Sequence, residues 1–75
     1  MARIAAYSLD LEDVRNMTEL ARRVSSVCVV VRATINLTTE EVNYIAFSDM
    51  FPDHGSHPTP PRIEWSLVDG ELTVK

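Results

Sequence analysis

Ten consecutive residues constrain this chain more than any others: Val27-Cys28-Val29-Val30-Val31-Arg32-Ala33-Thr34-Ile35-Asn36. The run is rich in β-branched side chains and holds no glycine or proline, which predicts a strand. Its first half is apolar on both faces. Its second half alternates, with Arg32, Thr34 and Asn36 on one side and Val31, Ala33 and Ile35 on the other. That pattern predicts a strand central at one end and half exposed at the other.

The segments around it read in order. Arg3 to Ser8 forms a short strand. Asp10 is placed as an N-cap, with Leu9 and Val14 as a hydrophobic staple. Leu11, Val14, Met17, Leu20, Ala21 and Val24 then share one helical face, predicting helix 1 over 11–24. After the strand, Thr38-Thr39-Glu40-Glu41 has the form of a capping box, Leu37 and Val42 fit a staple, and Pro52 stops the run. This predicts helix 2 over 39–51. The competing strand from Val42 to Phe51 has suitable residues but lacks clean alternation. Residues 52–61 contain all four prolines and read as a loop. From Arg62 to Lys75 the chain reads as a hairpin around Asp69-Gly70, the preferred pair for a two-residue type I′ turn. That register sets Val68 opposite Glu71, Leu67 opposite Leu72, Trp65 opposite Val74 and Glu64 opposite Lys75.

The expected fold is α+β: one domain spanning 1–75, in the order β-α-β-α-β-β, with two helices, a mixed sheet and a C-terminal antiparallel hairpin. The first β-α-β should join parallel strands by a right-handed crossover. Either the helices cover opposite faces of the sheet, or both cover one face and the other meets a second molecule.

A chain of 75 residues has a thin stability margin, and a partner or a second copy is a natural support. The single cysteine excludes an internal disulfide and suits a reducing, cytoplasmic setting. Asp10, Glu12 and Asp13 interrupt any signal-like apolar start, and no run is long enough to cross a membrane. The net charge of −4 is uneven: residues 1–36 carry five arginines against four acids, while residues 37–75 carry two basic groups against seven acids. Direct nucleic-acid binding is disfavoured, and a protein partner with a basic surface is favoured.

Few constellations offer chemistry. His54 and His57, with Asp49 and Asp53 nearby, are the nearest approach to a metal site, but their spacing gives no third rigid ligand. No metal or cofactor is expected. Cys28 lies in an apolar strand with no histidine near it and reads as a small buried hydrophobe. Arg15, Arg22 and Arg23 share their helix face with Glu12 and Glu19 and read as a solvated face. No catalytic motif is present, so an enzyme is the minor expectation. Tyr44, Phe47 and Phe51 exceed what one helical face can bury, and carboxylates frame them. A partner-binding patch of Glu40, Tyr44, Asp49, Phe51 and Asp53 follows.

The leading expectation is a small acidic interaction module that binds and blocks or modulates another protein. Its size and acidity also suit phage or mobile-element inhibitors of host defence, of the anti-CRISPR kind. The alternatives are an accessory subunit dimerising through an open sheet face, and a metal- or small-ligand-binding module on the His54–His57 loop.

Overall fold

A computed structural model describes residues 3–52 and 59–75. The chain runs β1 (Arg3–Asp10), α1 (Leu11–Asn16), α2 (Glu19–Val27), β2 (Val29–Asn36), β3 (Glu41–Ser48), β4 (Trp65–Val68) and β5 (Glu71–Val74). The fold is α+β with two helices and a C-terminal hairpin, as expected from the sequence. The order of its parts is β-α-α-β-β-β-β.

Helix 1 is two helices rather than one. Met17 closes α1 in the left-handed region, at φ 50°, and Thr18 starts α2 by accepting a bond from the Ala21 amide at 3.4 Å. A threonine can cap a new helix as well as continue an old one. The break turns Met17 out to solvent, while Ala21 and Val24 of α2 enter the core. The Asp10 side chain makes no capping bond.

The larger change lies in residues 37–51. Helix 2 does not form. Asn36 ends β2 and its Oδ1 accepts from the amides of Thr38 (3.0 Å) and Thr39 (3.4 Å), a local turn that competes with a helical cap. Glu40 follows at φ 55°, and β3 returns antiparallel to β2. The chain order β2–β3 is therefore a hairpin. A central strand with apolar residues on both faces shows no alternation of polarity, which is why β3 resembled a helix.

The sheet order is β1-β3-β2, antiparallel at both joints. β1 and β2 are parallel in direction, as a crossover requires, but β3 lies between them. The predicted central strand is thus an edge strand, and β3 takes the centre. The C-terminal hairpin is a separate two-stranded sheet whose register matches the expected pairing at every position from Trp65–Val74 to Val68–Glu71. Backbone bonds in both directions then join Glu64 to Lys75. Asp69 and Gly70 both have positive φ, as a type I′ turn demands. The hairpin does not extend the main sheet. It is tied to it by a parallel bridge, in which Ala6 donates to the Pro61 carbonyl (2.8 Å) and accepts from the Ile63 amide (2.9 Å).

Registers sort the sheet into two faces. Ala5, Tyr7 and Leu9 of β1 lie opposite Ala46, Tyr44 and Val42 of β3. This face carries the core with Ala21, Val24, Phe51 and Ile63. Tyr7 stacks on Tyr44 at 5.1 Å between ring centroids and meets the edge of Trp65 at 5.7 Å, while Phe51 fills the space against both Tyr7 and Trp65. On the opposite face, Ile4, Phe47 and Val29 form one row across the three strands. Ser8, Asn43 and Thr34 form another, in which Arg62 donates to the Ser8 hydroxyl and Ser8 donates to Asn43. Both helices, which come from the one segment predicted as helix 1, serve the core face.

Candidate interaction edge

Strand β2 differs from every other element in the fold. All eight of its residues are exposed, including Val29 (69%), Val31 (54%) and Ile35 (58%), and Leu37 in the following turn is 76% exposed. An edge strand offers a row of backbone donors and acceptors on its outer side, and natural edges are usually blunted by charge, proline or cover. Here the only charge is Arg32, there is no proline, and among the described residues β2 pairs with β3 alone.

A bulge falls between Val30 and Arg32, leaving Val31 as the extra residue. Beyond it the strand is regular: Arg32, Thr34 and Asn36 lie on the open face, and Ala33 and Ile35 on the core face. Ala33 and Ile35 stay exposed although they lie on the core face, so β2 presents apolar side chains on both sides of its plane. Phe47 continues the open face inward from Val29.

The outer edge of β1 is different. The Pro61–Ile63 bridge occupies the backbone of Ala6, and Arg62 reaches Ser8 across it. Among the described residues, the β1 edge is therefore engaged at its middle, at Ala6, and the β2 edge is open.

Four residues of the sequence-derived patch, Glu40, Tyr44, Asp49 and Phe51, lie among the described residues, and these four do not form one exposed surface. Phe51 is 1% exposed, deep between Tyr7 and Trp65, and its carbonyl accepts from Arg3 (3.1 Å). It is a core residue rather than a partner contact. Tyr44 is half-buried against Tyr7. Glu40 and Asp49 are exposed but flank opposite ends of β3, which separates them by about 25–30 Å at the usual strand rise. The Glu40 carbonyl accepts the Leu11 amide (2.9 Å) and ties the β2–β3 turn to the start of α1. Asp53, His54 and His57 lie outside the described residues, so the metal reading of that loop does too.

Two other places were open to chemistry. A cleft of about 270 Å³ runs between β1, the helices and the start of β4, lined by Asp10, Asp13, Glu41, Arg62, Glu64 and Trp65. Among the described residues, the buried Trp65 Nε1 has no hydrogen-bond partner. Among the described residues, no three His, Cys, Asp or Glu side chains come close enough to hold a metal ion. Cys28 ends α2, half-buried, with its thiol near the hydroxyls of Tyr7 and Ser48. Burial pushes the Cys28 thiol up, and hydrogen bonds from Tyr7 and Ser48 offset only part of this. Burial also pushes Tyr7 well up, helped by the neighbouring Cys28. A thiol held neutral is a poor nucleophile, so the trio reads as packing.

Composition did signal β2 as a strand. What it could not signal was the absence of cover, because a buried strand and a sticky edge have the same residue content. Among the described residues, no helix is long and apolar enough to cross a membrane. Compared with protein-family models, curated proteins and solved structures, the chain matches none.

Proposed function

We propose that this chain is a protein-interaction module whose working surface is the open edge of β2, with the apolar row Val29–Phe47–Ile4 beside it. The observation that carries the reading is the full exposure of an eight-residue, valine-rich edge strand in a fold whose other sheet edge is engaged at Ala6 by the Pro61–Ile63 segment. A partner strand added there gains main-chain hydrogen bonds, while Val31, Ile35 and Leu37 supply contacts that select it. The acidic cluster of Glu40 and Glu41 at the turn end favours a basic group on the partner. A reducing cytoplasm suits the free thiol of Cys28. An inhibitor of host defence is one form such a module takes, and that narrower proposal draws on size and acidity alone.

The test is retention of binding proteins from source-cell extract by the immobilised chain. Val31→Lys should abolish retention by placing a charge on the edge. Glu19→Lys on α2 should leave it intact. Retention lost with Asp49→Lys but kept with Val31→Lys would move the surface to the acidic end of β3 and contradict the reading.

A further inference from the structure

We infer that the strand which occupies the β2 edge is β2 of a second copy, paired antiparallel about a two-fold axis through Thr34. This rests on the interaction-edge reading and names its occupant.

The argument begins with face matching. Strands that continue a sheet must set core-face residues opposite core-face residues, since a slip by one residue reverses every side chain. For two copies of β2 related by a two-fold axis, this limits the axis to positions where a residue meets its own counterpart. Centring on Arg32 would set like charges directly opposite, which is unfavourable. Centring on Ala33 draws the bulge residue Val31 into the paired run. Centring on Ile35 pushes Arg32 against Thr38, beyond the end of the strand. Centring on Thr34 uses the regular run after the bulge in full. Arg32 then lies opposite Asn36, Ala33 opposite Ile35, and Thr34 opposite Thr34, a favourable cross-strand pair. Val31 and Leu37, both more than half exposed in the single chain, meet just outside the run.

Charge supports the same register. On the open face, Asn36 neighbours Glu41 of β3, which neighbours Asp10 of β1. Antiparallel pairing brings Arg32 of the second copy beside Asn36, two strand spacings or about 10 Å from Glu41 between Cα atoms. Two long side chains span that gap. Each copy thus offers its one β2 cation to the acidic end of the other, twice per dimer. This is the basic group that the Glu40–Glu41 cluster favours.

Closure follows from the two-fold axis. Two-fold pairing uses the same edge on both copies, and the Pro61–Ile63 segment engages the middle of the β1 edge at Ala6, so pairing at β2 gives a six-stranded sheet instead of a filament. All four helices then lie on one side of it.

Light scattering on the full chain across micromolar to millimolar concentration provides the test. The expected mass at the upper end is twice the 8.4 kDa of one copy. Thr34→Lys and Thr34→Glu each place like charges across the axis and should weaken self-association by at least about tenfold. Thr34 is exposed, so both variants should keep the wild-type circular dichroism spectrum. Mixing the two should restore a dimer made of one copy of each. A wild-type chain monomeric throughout overturns self-pairing, and the extract assay then reports on the edge separately. A dimer untouched by Thr34→Lys, or two weakened variants that fail to combine, overturns the Thr34 axis.

Discussion

Replacing Phe51 with alanine should remove most of this protein's stability. The side chain is almost wholly buried, with ring centroids at 6.2 Å from Tyr7 and 5.6 Å from Trp65. Truncating a buried phenylalanine loses its transfer energy and leaves a cavity, typically about 3–5 kcal/mol together. The neighbours here are rings held by other contacts: Tyr7 by its stack on Tyr44, and Trp65 by the hairpin register. They have little freedom to collapse into the space, so the upper half of that range is expected. At roughly 0.05–0.15 kcal/mol per residue, a domain of this length has about 4–11 kcal/mol in total, and small size favours the lower end. The loss therefore consumes most of the stability. Urea denaturation followed by fluorescence of Trp65, the single tryptophan, measures it directly. Phe51→Leu, which keeps most of the volume, should cost about 1–1.5 kcal/mol. A Phe51→Ala loss below about 0.5 kcal/mol, the range of an exposed position, would refute the core assignment and return Phe51 to the surface.

Three further outcomes are expected. Gly70→Val should cost about 1–2 kcal/mol in the same assay, because φ is +78° there and a β-branched residue resists positive φ even with open space around it. Asn36→Ala should cost about 0.5–1.5 kcal/mol by removing the acceptor of two turn amides, while Thr38→Ala should cost less than about 0.5 kcal/mol, whereas a helical cap at Thr38 would reverse that order. Thermal stability should hold up to about pH 9 and fall above it: burial raises the folded-state pKa of Tyr7, Tyr44 and Cys28, so the unfolded chain loses these protons first, and Tyr7 alone contributes a slope of about 1.4 kcal/mol per pH unit once past its ordinary value of 10.0.

The parts of this fold that the sequence made legible are those settled by local chemistry. Asp69-Gly70 fixes a turn type, the turn fixes a register, and the register sorts Trp65, Leu67, Leu72 and Val74 onto one side. Helix-forming character over 11–24 was equally plain, but whether Thr18 continues a helix or starts one depends on the turn at Met17, and α2 runs on to Val27, which the sequence assigned to the strand. Residues 36–41 carried a real ambiguity. Asn36, Thr38 and Glu41 hold the groups for either a helical cap or a strand turn, and pairing of β3 with both neighbours decides it. The site was the least legible part. The first half of the Val27–Asn36 run read as central because apolar strands usually are buried, and hydrophobicity records that a strand requires a neighbour without recording whether the neighbour belongs to the same chain. Phe51 was misplaced for the complementary reason: with helix 2 removed, it no longer competes for a helical face and turns into the core.

Amide hydrogen exchange along β2, resolved by residue and followed from dilute to concentrated protein, tests the central claim most directly. In dilute solution, the β2 amides directed away from β3 should exchange rapidly while those directed toward β3 are protected, giving an alternating pattern. On concentration, or on addition of a protein captured through this edge, the rapid set should become protected while β1 and β3 stay unchanged. If every β2 amide is already slow in dilute protein, or if association protects α2 and leaves β2 alternating, the β2 edge is not the surface through which this protein works.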